Sequence, residues 1–139
     1  MTNSMAIQLR QVSTSSSKAS IRAHEVLIDR PATKGGTDVG PMGGELFLTA
    51  VGGCFMSNLL AAISSRQAPI SNVQTDVIGI LADSPARFIA VELSVTADTV
   101  DHEMLDRLVA VADRGCIMMN TLRGNLDVRV QIATPAPVR

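Results

Sequence analysis

The chain has 139 residues, 46% apolar and 2% aromatic, with a formal net charge of −1. That length suits one domain, here 1–139, with an aliphatic, Met-rich core. The absence of Trp, Tyr and any basic stripe argues against stacking platforms or an electrostatic footprint for nucleic acid.

Met1-Thr2-Asn3-Ser4 leads into no apolar run. No secretory signal is therefore read, a cytoplasmic location is expected, and both cysteines are expected to rest as thiols. Strands are predicted over 6–12 and 19–28, together the N-terminal strands 6–28, with Ser13-Thr14-Ser15-Ser16-Ser17 as a turn or mobile loop. Residues 29–43, rich in Gly, Pro, Asp and Thr, read as a long irregular loop, a feature more often functional than decorative.

The stretch 44–67 has no proline and apolar groups on every face, as in a helix buried all round. It reads as a core helix more than as a membrane span. Gly52 and Gly53 stand immediately before Cys54. Each interior glycine costs a helix about 1 kcal/mol relative to alanine. They permit close approach, either of another helix or of a ligand around the Cys54 sulfur. Spacing alone leaves both readings open.

A strand pair is predicted over 72–97, with a turn at Asp83-Ser84-Pro85. Ile89, Val91, Leu93 and Val95 alternate with Glu92, Ser94 and Thr96. Residues 99–122 form a second helical region, capped by Asp98 or Thr99. Val100, Met104, Leu105, Leu108, Val111 and Ala112 form its stripe, and Gly115 serves as C-cap. Cys116 opens a short helical piece, "CIMMNTL", stopped by Gly124-Asn125. The last strand, 126–133, alternates Leu126, Val128, Val130 and Ile132 with polar residues. The tail 134–139 is expected to be loose. This order predicts an α+β fold. A helix apolar on all faces needs more cover than one small sheet, so a homodimer is expected.

Cys54 and Cys116 are the main candidates for chemistry. Their separation excludes CxxC geometry and a zinc knuckle. The bland alternative, two buried thiols acting as small hydrophobes, stays open here. His24 and His102 belong to no ligand cluster, so no metal or cofactor is expected. Arg22, Arg30, Arg66 and Arg114 are the arginines nearest the candidate site in the sequence. A thiolate needs a positive charge or a helix N-terminus beside it. Cys54 is mid-helix, where the dipole helps little, and each of these arginines is more often a solvated surface residue than a catalytic one.

"GGTDVGPMGGELFLTAVGGC", followed by "ADRGCIMMNTLRGN", resembles the OsmC/Ohr family, the osmotically inducible protein C and organic hydroperoxide resistance proteins. The resemblance covers nearly the whole chain. It implies an intertwined homodimer of small antiparallel sheets packed around long central buried helices, with two sites at the subunit interface. It also implies thiol-dependent reduction of an organic hydroperoxide. Cys54 would attack the peroxide and become a sulfenic acid, and Cys116 would condense with it to a disulfide. A dithiol reductant, lipoyl or thioredoxin-like, would reset the pair. No nucleic acid or membrane partner is expected.

The family ties an arginine from the N-terminal region to a glutamate at the start of the central helix. In the peroxidase branches that glutamate lies ten residues before the first cysteine, which here is Gly44. Glu45 lies one position later, about 100° around the helix. That spacing resembles the less-characterised OsmC-like branches, although Met42-Gly43-Gly44 replaces their proline-containing opening. Arg30 is the first choice for the thiolate's arginine and Arg22 the second. The alternative function is a non-catalytic module that binds a small apolar or electrophilic ligand at the dimer interface.

Overall fold

A computed structural model describes residues 2–133. The tail at 134–139 lies outside the described residues. The chain forms two compact units, one ending at Phe47 and the next beginning at Leu48.

The first unit carries an antiparallel sheet of β1 (Gln8–Gln11), β2 (Ser17–Ile21) and β3 (His24–Ile28). The segment expected as one strand over 19–28 is therefore two. The chain reverses between Ile21 and His24, which pair with each other. Arg22 takes φ 53° there, a left-handed conformation for which hairpins usually select Gly, Asn or Asp. The serine run is an ordered turn. Ser13 Oγ accepts from the N–H groups of Ser15 and Ser16, and Val12 N–H donates to the Ser16 carbonyl at 2.9 Å.

The long loop after β3 is organised around Asp29, which is 2% exposed. Its carboxylate accepts from the backbone N–H groups of Arg30 (2.7 Å), Thr37 (3.1 Å) and Val39 (3.3 Å), and from the Thr37 hydroxyl (2.7 Å). The Thr37 hydroxyl acts most strongly on its pKa. Burial opposes it, but the hydrogen bonds win and hold the carboxyl far below the usual range. Gly36 allows the loop to close, since a Cβ there would stand 2.0 Å from the Arg30 carbonyl oxygen.

Helix α1 (Gly43–Ser65) starts in the first unit and continues through the second. Glu45 Oε1 accepts from the Met42 N–H at 2.8 Å, satisfying a donor ahead of the first turn. At its other end Ala68 N–H reaches the Ile63 carbonyl, with Gln67 at φ 49° in the place usually held by glycine. Length and mean hydropathy (1.9) also suit this helix to a bilayer. Within one chain it is not buried all round. Val51, Gly52, Phe55, Leu59, Ala62 and Ile63 are buried, whereas Gly53, Leu60 and Ala61 are exposed.

The second unit has a three-stranded sheet of β4 (Ile70–Ala82), β5 (Arg87–Thr99) and β6 (Asp127–Ile132). β4 and β5 are antiparallel, but β6 lies parallel to β5, so this sheet is mixed. A parallel neighbour needs a crossover, supplied by α2 (His102–Gly115) and α3 (Ile117–Leu122). The registers put Val77, Leu93 and Val130 in one row, and Thr75, Val95 and Ile132 in the next. Leu48, Gly52 and Met56, four residues apart on α1, run along this face. The Thr75 hydroxyl donates to Met56 Sδ at 3.0 Å. Val91, Leu93 and Val95 are fully buried, as are Phe55 and Leu59. Each such side chain contributes roughly 1.5–3 kcal/mol through the apolar surface removed from water.

Ile89 departs from the expected face. Ile80 pairs with Ala90 and Leu81 with Phe88, so Ile89 is the extra residue of a bulge and is exposed. The cap of α2 is Asp101, whose Oδ1 accepts from Met104 N–H at 3.0 Å, rather than Asp98 or Thr99. β5 runs on through both of those residues, and Thr99 Oγ1 accepts from Asp101 N–H. Val100 projects into solvent, and Val109 takes a place in the buried stripe.

A cysteine pair as the candidate functional site

Cys54 lies in the middle of α1 and is half-buried. Cys116 stands at the elbow between α2 and α3, fully buried. It ends one helix and caps the next, its φ and ψ of −81° and 118° breaking the helical path. Its sulfur accepts from Met119 N–H at 3.5 Å, in the place an oxygen usually fills at a helix start. The two cysteine side chains approach to 3.3 Å and are not bonded.

The two thiols are pushed in opposite directions. Burial acts most strongly on Cys54 and would raise its pKa. The Met118 N–H, the Cys116 thiol and the Ile117 N–H together outweigh burial, and the net shift is downward. Burial also dominates at Cys116, and the charge that forms on Cys54 adds to it, so Cys116 moves upward. Of the two thiols, Cys54 is therefore the more acidic and Cys116 the less. The amides of α3's first turn reach Cys54 from a different helix. They supply a support that α1's own dipole, with Cys54 at mid-helix, does not give. The available signal is Gly115-Cys116 followed by a helical run, which places free N–H groups just beyond the second cysteine.

Gly53, adjacent to Cys54, lines a cleft of about 370 Å³ with Leu48, Thr49, Gly52, Met56, Thr75 and Val77. Its wall is largely aliphatic, with two hydroxyls and one thioether. A Cβ at Gly52 would stand 2.6 Å from Val77 Cγ2, so that side chain would have to shift, while a Cβ at Gly53 would meet nothing within 4 Å.

Of the four residues singled out in the sequence, Cys54 and Cys116 come together. Arg30 and Glu45 belong to the first unit. Arg30 follows β3, exposed, and lines a cavity of about 450 Å³ with Lys34, Asp29 and the start of α1. Glu45 caps α1. Arg22 occupies the β2–β3 turn, His24 the start of β3 and His102 the start of α2. Among the described residues, no group of three or more His, Cys, Asp or Glu side chains is placed to hold a metal ion.

A family model described as OsmC-like protein matches residues 35–131. The fold is similar to that of an OsmC-like protein from Mycoplasma pneumoniae, with a TM-score of 0.80 and 17% identity over 96% of this chain and 98% of that one. It is similar to an organic hydroperoxide resistance protein from Elizabethkingia anophelis, with a TM-score of 0.74 and 20% identity over 97% and 100%. It also resembles the organic hydroperoxide resistance protein OhrB of Bacillus subtilis, with a TM-score of 0.67 and 22% identity over 94% and 98%. Comparison with curated proteins gives no match.

Proposed function

The chain belongs to the OsmC family, and from that membership together with its cysteine pair we propose that it is a thiol-dependent peroxidase for organic hydroperoxides. The observation that carries this reading is the 3.3 Å approach of Cys54 and Cys116, one thiol shifted down and the other up.

The steps balance. The Cys54 thiolate attacks the distal peroxide oxygen. The O–O bond breaks, the alcohol leaves with a proton, and Cys54 is oxidised to a sulfenic acid. The Cys116 sulfur then attacks the Cys54 sulfur, water leaves, and a disulfide forms. A dithiol of the lipoyl or thioredoxin class reduces it through a mixed disulfide, its own thiols becoming the oxidised pair. A reducing cytoplasm suits this resting state. Arg30 enters the proposal as a cation for the thiolate, and Glu45 as the carboxylate that would orient it. The aliphatic cleft at Gly53 favours an alkyl peroxide over hydrogen peroxide.

A homodimer is part of the same reading. Leu9, Leu60 and Ile78 are each about half exposed in the single chain, and a second copy would cover such surface. Light scattering at micromolar concentration tests this, with a monomer overturning it.

The functional test mixes reduced protein with one equivalent of alkyl hydroperoxide and counts free thiols against time. Fast loss of both thiols, faster than with hydrogen peroxide, is expected. Slow or absent loss overturns the peroxidase reading and leaves a ligand-binding module.

A further inference from the structure

Asn58 lies one turn beyond Cys54 on the same face of α1. Its Nδ2 donates to two carbonyl oxygens, that of Cys54 at 3.2 Å and that of Gly115 at 3.4 Å. These acceptors belong to one cysteine and to the residue just before the other. The Gly115 carbonyl is among the last of α2 and has no partner within its own helix. It also shares a rigid peptide plane with the Cys116 N–H, which donates to the Asp113 carbonyl at 3.3 Å. That plane is therefore held at both ends, by α1 through Asn58 and by α2 through Asp113. Its orientation sets the direction in which the Cys116 Cα–Cβ bond leaves the chain.

From this geometry we propose that Asn58 is a positioning residue that locks the α2–α3 elbow onto α1 so that the Cys116 sulfur meets Cys54. The benefit to turnover rests on the peroxidase reading, but the positioning itself does not. An amide is suited to the task because it brings two N–H donors to two acceptors. A carboxylate of the same shape would bring only acceptors and repel both carbonyls. The elbow is braced from its other side by Asn120, whose Nδ2 donates to the Arg114 carbonyl at 2.9 Å, and by Arg123, which pairs with Asp113 and holds Asn120 Oδ1. Those bonds stay within α2 and α3 and their flank. The Asn58 bond crosses to the helix carrying Cys54 by way of a backbone carbonyl, apart from the contacts of the Ile117 and Met118 amides with the Cys54 sulfur.

The test uses the full chain with Asn58→Asp and Asn58→Ala. Diamide drives closure without peroxide: it adds to one thiolate, and the second thiol displaces the hydrazine as the disulfide forms. First-order closure is expected to slow at least tenfold in both variants, more in Asn58→Asp. The pH midpoint for Cys54 alkylation is expected to rise in each. A role in stability alone would lower the melting temperature and leave both readouts unchanged. Wild-type closure rates and midpoints in folded variants would overturn the proposal. If either variant fails to fold, Asn58→Ser carries the same two readouts. A wild type that closes with diamide but ignores alkyl hydroperoxide would sink the peroxidase reading alone.

Discussion

Gly52 lies against Val77, so close that a β-carbon on the helix would stand 2.6 Å from Val77 Cγ2. A β-carbon on the adjacent Gly53 would meet nothing within 4 Å. Two glycines that look equivalent in the sequence thus have different reasons to be there. Gly52 lets α1 settle onto β4, and Gly53 borders an open cleft next to Cys54 in the chain.

Gly52→Ala should therefore destabilise by about 1–3 kcal/mol, the usual cost of overpacking. Gly53→Ala should instead stabilise by up to ~1 kcal/mol, through helix propensity. Urea denaturation of both variants at matched concentration checks the opposite signs.

Cys54 should be the more reactive thiol. Its pKa is lowered, so its alkylation should rise with pH through a midpoint below the ordinary thiol value. Cys116 is raised and should follow at higher pH. Peptide-resolved iodoacetamide labelling reads both curves, and a reversed order would refute the assignment of nucleophile. Cys54→Ser should abolish hydroperoxide consumption. Cys116→Ser should consume one equivalent and stop at a sulfenic acid that dimedone traps.

Arg30→Ala tests the cation proposed for the Cys54 thiolate. Thiol loss with alkyl hydroperoxide should slow about tenfold or more if the guanidinium serves Cys54. An unchanged rate would leave the α3 amides as the working support.

Asp29 makes the long loop sensitive to acid. Its folded pKa lies below the unfolded value of about 3.9. The stability it contributes is then full above that value and is lost as pH falls toward the folded one. Asp29→Asn should flatten this acid limb and lower the melting temperature by several degrees at neutral pH. Thermal melts between pH 3 and 7 test both effects.

Asp101→Ala removes the α2 cap and should cost about 1 kcal/mol. Thr99→Ala should cost less, because Thr99 braces the turn and makes no bond into the helix.

Much of the fold is legible in the amino-acid sequence. Alternation identifies β6 and most of β5, and the proline-free apolar run identifies α1. The cysteine pair is legible only through the family resemblance, because no local spacing brings residues 54 and 116 together. The β2–β3 turn is hidden by Arg22, which adopts a conformation its residue type rarely signals. Alternation misplaces Ile89, because a bulge changes the facing of a strand without changing its composition. The direction of β6 is also unreadable, since alternation looks the same in a parallel or an antiparallel neighbour. The roles of Arg30 and Glu45 rest on the resemblance, and the Arg30→Ala variant tests the first of them.

The place of β6 in the chain, after α2 and α3, sets an order of events during synthesis. The sheet that backs α1 cannot be completed until β6 has left the ribosome. Cys54 is made well before the α2–α3 elbow that delivers Cys116. Throughout that interval a nascent chain carries its first thiol without the amides or the partner that tune it. The groups that lower the Cys54 pKa, the Cys116 thiol and the amides of Ile117 and Met118, are all made about sixty residues after it.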